Sequence, residues 1–263
     1  MALDASYNAD LSRIQLAATV LGASATYAVM DRTLDGVTYT TVRGGDDVPV
    51  VSQVANLDDY EFPVDEAVTY RVRSYNASDV LQATFTDVIT QNLDQPWLKS
   101  VSRVYLNREV EAAEASDVTH VSRAGVFPVS GRSYPVAVTD VSSVRKYDLR
   151  ITTFTEGEAE AIRYMVTSGD ILFFHVPSGF PALGGYFTVG DVNESRQGLP
   201  WERRWFTLPL TEVAPPGPDV IPTTYTIASM IAEYATVSDV IADNATIIDL
   251  MERVGSPSEV IVP

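Results

Sequence analysis

At 263 residues the chain has room for two ordinary domains, each able to bury a core, and 46% hydrophobic against 20% charged residues is the composition of folded protein rather than disorder. Eighteen basic against 35 acidic residues leave a formal charge of −17, which works against nucleic-acid phosphates and anionic membrane surfaces as partners. With no cysteine and two histidines, disulfide frameworks, thiol chemistry and zinc sites are not expected, and no cofactor is expected either.

The opening MALDASYNADLSR lacks a basic stretch followed by an apolar one, so it does not read as a signal peptide, and no run of eighteen apolar residues supplies a spanning helix. Residues 1–90 read as an immunoglobulin- or fibronectin III-like β-sandwich. Its expected strands are Ile14 to Leu21, Thr26 to Arg32, Val37 to Arg43, Val48 to Val54, Ala67 to Ser74 and Leu81 to Ile89. Turn chemistry separates them at Leu34-Asp35-Gly36, Gly44-Gly45-Asp46-Asp47, Asn56-Leu57-Asp58-Asp59 and Asn76-Ala77-Ser78. In DYEFPVDEAVTYRVRSYN the run Val68 to Arg73 looks like the corner tyrosine and outgoing strand of a fibronectin type III module. Tyr70 would then bury its ring and bond backbone, while Arg71 and Arg73 point to solvent.

Residues 91–213 read as a second, β-rich domain with one helix. Gln91 to Trp97 is a connector with Trp97 as anchor, Val101 to Val110 and Val118 to Ser122 are expected strands, and Pro135 to Val138 leads into another. Tyr147, Leu149, Ile151 and Thr153 then alternate with polar residues, the period of a half-buried strand. Thr155 and Glu158 form a capping box, and Ala159, Ile162, Met165 and Val166 make a helical stripe that stops at Gly169. Ile171 to Val176 is apolar without alternation, as in a strand covered on both faces.

Residues 214–220 hold three prolines in Ala214-Pro215-Pro216-Gly217-Pro218 and form an extended linker. Residues 221–263 carry a ten-residue repeat beginning at Thr226, Thr236 and Thr246, which also fits a heptad: Ile227, Tyr234, Ile241 and Ile248 fall at one position, Met230, Val237, Asn244 and Met251 at the other. One continuous helix or three short capped ones both fit. These eight residues are the expected oligomer interface.

The phrases GRSYPVAVTDV, the strand–helix–strand unit, GGYFTVGDVNESR and RRWFTLPLTEVAPPGPD, with Trp97-Leu98-Lys99 and Asn107-Arg108 as a hinge phrase, resemble the minor tail proteins of long-tailed bacteriophages that infect actinobacteria. The likeness covers roughly residues 91–220. It implies a non-enzymatic tail-tip or baseplate component, assembled in the host cytoplasm and carried in the virion. Such a part is a homo-oligomer, a trimer or else a hexamer, that contacts other tail proteins and links the tail to host-recognition parts. Two other classes stay open. A host-surface glycan-binding protein would use the sandwich loops or a face bearing Trp201, Arg203, Arg204 and Trp205. A cell-wall glycoside hydrolase would need two opposed carboxylates; Glu156, Glu158 and Glu160 instead suit the first turn of a helix. Asp46-Asp47 and Asp58-Asp59 lack the ligand spacing of a calcium loop, and His175, inside an apolar strand, reads as a hydrogen-bonded core residue.

Overall fold

The computed structural model describes residues 2–120, 124–128, 130–131, 133–138, 144–196, 198 and 202–217. The eight residues of the expected oligomer interface, Trp201 and the whole helical repeat lie outside them. The fold is mainly β, in antiparallel sheets, with a single α-helix among the described residues.

The first eight strands are β1 (Leu3–Asn8), β2 (Arg13–Ala18), β3 (Tyr27–Thr33), β4 (Thr40–Thr41), β5 (Val48–Pro49), β6 (Ala55–Asp59), β7 (Ala67–Tyr75) and β8 (Leu81–Thr90). They form a sandwich: a sheet ordered β1-β2-β6 faces one ordered β4-β3-β7-β8, with β5 also paired to β3. Strict alternation along β7 sends Val68, Tyr70 and Val72 inward to meet Ile14 and Leu16 of β2 and Met30 of β3.

Three sequence expectations are corrected here. Asn56-Leu57-Asp58-Asp59 is not a turn but most of strand β6, paired to β2 with Asp59 opposite Ile14. The reversal lies earlier, at Ser52-Gln53, where both residues have positive φ (52° and 66°) and Val51 bridges Val54. That is a primed hairpin turn built without glycine or asparagine, so its usual sequence signal is missing. Tyr70 is fully buried, but its hydroxyl donates to Asp59 Oδ2 at 2.8 Å and not to backbone. Arg32 also pairs with that carboxylate, and Asp59 Oδ1 accepts the Glu61 N–H at 2.9 Å. Arg71 and Arg73 do not stand free in solvent: both bind the buried carboxylate of Asp31, at 2.6 and 2.8 Å, and Arg71 stacks on the Tyr39 ring.

The remaining strands are β9 (Trp97–Ser100), β10 (Arg108–Glu109), β11 (Glu111–Ala115), β12 (Thr119–His120), β13 (Gly125–Phe127), β14 (Val136–Val138), β15 (Arg145–Thr153), β16 (Leu172–His175), β17 (Gly185–Val189), β18 (Asn193–Arg196) and β19 (Arg204–Glu212). All but β13 and β14 join one antiparallel sheet, ordered β10-β9-β16-β17-β19-β15-β11, with β12 and β18 continuing the lanes of β11 and β17. Val101 to Val110 is not one strand. Ser100 Oγ accepts the Arg103 N–H and the Asn107 side chain accepts the Ser100 N–H, which folds the chain into a 3-10 turn at Val104–Leu106 before β10.

The helix α1 (Glu156–Thr167) forms as its residues direct. Thr155 caps it by accepting the Glu158 N–H at 3.2 Å, and the Glu158 carboxylate reaches back to the Phe154 N–H at 2.7 Å. Gly169 follows the C-cap with φ of 73°, where a side chain would be strained. Ala159, Ile162 and Met165 pack on Leu149 and Ile151 of β15, Leu172 and Phe174 of β16 and Phe206 and Leu208 of β19. Arg163 and Arg204 clamp this layer from the side, through Glu156 on the helix and Glu194 on β18.

Replacing Tyr70 by Phe removes a hydrogen bond to a buried charge and is expected to cost about 1.5–3 kcal/mol. A urea denaturation midpoint equal to that of the parent chain would contradict the role given to this hydroxyl.

Candidate functional site

Two short strands of the second sheet set the most unusual chemistry of the molecule. Trp97-Leu98-Lys99-Ser100 of β9 lies antiparallel to Leu172-Phe173-Phe174-His175 of β16, with Leu98 opposite Phe174 and Lys99 opposite Phe173. Strand alternation turns Leu98, Leu172 and Phe174 to the helix-covered core. It turns Trp97, Lys99, Phe173 and His175 to the other face, and that face is covered by the sandwich. Trp97 belongs to the sandwich core with Phe62 and Leu93, and the Phe62 ring meets His175 edge-on at 4.7 Å between centroids.

Lys99 is thereby buried between the two sheets, with 1% of its surface exposed. Its Nζ donates to the Ser12 carbonyl at 2.5 Å and the Tyr60 carbonyl at 2.8 Å, and it stands 2.9 Å from His175 Nδ1. The Phe62 ring closes a fourth side, 4.9 Å from the cation. Three acceptors are what one ammonium can serve, so Nδ1 of His175 offers its lone pair and the imidazole is neutral with its proton on Nε2. That Nε2 is buried, and a backbone contact with Phe62 is the one influence that favours a charged ring.

Burial pulls the Lys99 ammonium down to about 7, against the opposing pull of the Asp59 and Glu61 carboxylates. His175 is held well below the usual imidazole range by its own burial, then by the charges of Lys99 and Arg32. A buried lysine of low proton affinity beside an imidazole is a pairing also found in catalytic sites. Here Nζ is fully engaged with protein atoms and turned away from bulk water, so the arrangement joins two backbone carbonyls of the sandwich to a strand pair of the second sheet.

A cleft of about 240 Å³ opens beside this contact, lined by Leu57 and Tyr60 of the sandwich and Lys99, Val101, Val104 and Phe173 of the second sheet. Arg43 stands at its edge. It forms a forked pair with Glu61, at 2.8 and 3.2 Å, and donates to the carbonyls of Pro216 and Gly217 at 3.2 and 2.6 Å. The proline-rich linker that leaves β19 is thus drawn back onto the sandwich. Burial, then Glu61, raises the Tyr186 phenol that faces the same ion pair from β17.

The residues singled out in the sequence are dispersed. Trp205 is half-buried on the sheet face opposite the helix, with the Arg150 guanidinium 5.7 Å from its ring, whereas Arg204 points to the helix side and binds Glu156. Glu158 is occupied by capping, and Asp58 binds Arg13 at 2.9 Å. His120 is exposed on β12, and His175 is the buried, hydrogen-bonded residue the apolar strand implied. The sequence presents Lys99 only within the hinge phrase Trp97-Leu98-Lys99. The available signal was a lone lysine inside WLKSV, one of just two lysines in the chain.

The chain matches no protein-family model, and no curated protein is significantly similar to it.

Because Lys99 holds fewer protons folded than unfolded between pH 7 and about 10, and His175 holds fewer below about 6.5, the folded state gains stability as pH rises across this range. The melting temperature is therefore expected to climb by several degrees from pH 6 to pH 9. Lys99→Met should abolish the part of the climb above pH 7, whatever it does to the absolute value; an unchanged slope in the variant would contradict this assignment.

Proposed function

We propose that this chain is a structural component of the tail tip or baseplate of a long-tailed bacteriophage, acting without catalysis. In this reading it assembles as a homo-oligomer, a trimer or else a hexamer, and connects the tail to host-recognition parts. It is made in the host cytoplasm and carried in the virion. The sandwich is its peripheral module, the second sheet supplies one contact between subunits, and the repeat in residues 221–263 supplies another.

The observation that carries the reading is the contact at Lys99. A buried Lys99 whose donors are shared between two modules specifies their relative orientation, because a slide that keeps the contact dry leaves Nζ or one of its three acceptors unpaired. A part that transmits position along an assembly needs that rigidity, whereas a cleft-closing enzyme needs hinge motion. The likeness of residues 91–220 to minor tail proteins points the same way, and so does the arginine content of residues 91–213, ten of the sixteen in the chain, since arginine is favoured where proteins meet.

A second reading, binding of a host-surface glycan, is favoured by the open sheet face that carries Trp205 between Thr207 and the Arg150 guanidinium. It predicts that Trp205→Ala weakens binding to isolated cell-wall polysaccharide, with folding intact.

The direct test of the first reading is immunogold electron microscopy of purified particles with antibodies raised against this chain. Gold at the tail end distal to the capsid is expected. Particles that carry none of the chain would overturn the proposal.

A further inference from the structure

A second cleft, of about 330 Å³, opens where the β10–β11 segment passes the first turns of α1. Val110, Ile151 and Ile162 line it from the core of the second sheet, and Phe154 stands half-exposed at its mouth. Strand pairing decides which polar side chains face it. Arg108 lies opposite Leu98, and Glu109 opposite Trp97. Directly opposed residues of an antiparallel pair share a face, so Arg108 joins Leu98 on the helix side and Glu109 takes the sandwich side. Val110 and Ala112 continue the helix-side row, with Ala112 opposite Ile151. Glu111, opposite Thr152, belongs to the other face. Two of the glutamates that border the cleft therefore turn their carboxylates away from it.

What remains inside is a cation without a counter-charge. Nε of Arg108 donates to the Leu106 carbonyl at 3.2 Å, which orients the fork, while Nη1 and Nη2 have no hydrogen-bond or carboxylate partner among the described residues. Arg103, Arg145, Arg150, Arg163 and Arg204 of the same region each meet a carboxylate. The third glutamate bordering the cleft, Glu158, is engaged by the Phe154 N–H at 2.7 Å. Burial weakens the hold of Arg108 on its proton, and no carboxylate opposes that pull. At the floor, Thr153 is 4% exposed and its hydroxyl is buried without a hydrogen-bond partner.

A guanidinium with two free donor groups, an orphaned hydroxyl and apolar walls match one chemistry, a single carboxylate on an apolar body. Phosphate would bring a second charge with nothing to meet it, and a neutral molecule would leave Arg108 desolvated and unpaired. We propose that this cleft binds a small organic monocarboxylate, its carboxylate held in the Arg108 fork above Thr153 and its apolar body laid on Val110, Ile151 and Ile162. The site uses the face of β9 opposite Lys99 and is independent of the tail assignment.

The test is calorimetric titration of the full chain at pH 7 with sodium hexanoate, beside hexanamide, inorganic phosphate and the Arg108→Gln variant. Saturable hexanoate binding in the millimolar range or tighter is expected. The variant, and the uncharged amide on the parent chain, should each weaken it at least about tenfold, the scale of losing a charge-assisted hydrogen bond from a shielded site. No saturable binding of hexanoate, or binding that Arg108→Gln leaves unchanged, would overturn the proposal, and so would phosphate binding as tightly as hexanoate. Should the variant melt early, modification of the parent chain with phenylglyoxal, read by peptide mass, takes its place. Hexanoate is expected to protect Arg108 and to leave the exposed Arg196 reacting as before. Equal modification of Arg108 with and without hexanoate would overturn the site.

Discussion

One ammonium group sets how this molecule is put together. Lys99 lies where two sheets meet, and it is solvated by the Ser12 carbonyl, the Tyr60 carbonyl and His175 in place of water. A buried charge is tolerated only where its hydrogen bonds are complete, and that requirement ties three separate stretches of chain to one point. The loop before β2, the strand exit after β6 and the β9–β16 pair cannot move independently without exposing or orphaning it. Apolar contact alone would be less particular. Trp97, Phe62 and Phe173 could slide past one another at small cost, whereas the ammonium fixes the register of the contact.

Other features follow the same geometry. The alternation of β9 and β16 feeds two cores at once, with Leu98 and Phe174 on the helix side and Trp97 on the sandwich side. Just beyond the strand exit from β6, Glu61 holds Arg43, which in turn holds the carbonyls of the proline-rich linker. The chain thus leaves the second sheet and returns to the first module before continuing. Asp59 sits between these groups and the sandwich interior, where Tyr70 and Arg32 share it. A chain of polar contacts therefore runs from inside the sandwich to its junction with the second sheet. It accounts for why two carboxylates, Asp58 and Asp59, end strand β6 and why Tyr60, Glu61 and Phe62 follow it directly.

How much of this was legible in the sequence depends on whether the signal was local. The strands β3, β7, β8, β15 and β16 declare themselves by alternation or by unbroken apolar runs, and α1 by its Thr155 cap, its stripe and Gly169. The Ser52-Gln53 turn gave no signal because neither residue is one that favours positive φ, and its absence pushed the turn onto β6. The Val101 to Val110 stretch is folded by two side chains, Ser100 and Asn107, whose partners sequence periodicity does not encode. The alternation of β7 implies a buried Tyr70, yet its acceptor comes from β6, a strand that carries no periodic signal of its own. The role of Lys99 was out of reach for the same reason: its three acceptors come from stretches as far as 87 residues away in the chain.

The central claim is that the buried ammonium locks sandwich and second sheet into one orientation. The chain has no cysteine of its own, so a pair of spin labels can be placed without interference, one at Asp47 on the sandwich and one at Asp191 on the second sheet. The most direct measurement is the distribution of distances between them in frozen solution at pH 6, where Lys99 carries its charge. A single narrow peak is predicted. A broad distribution, or several resolved distances, would mean that the modules hinge, and the account built on Lys99 would fail.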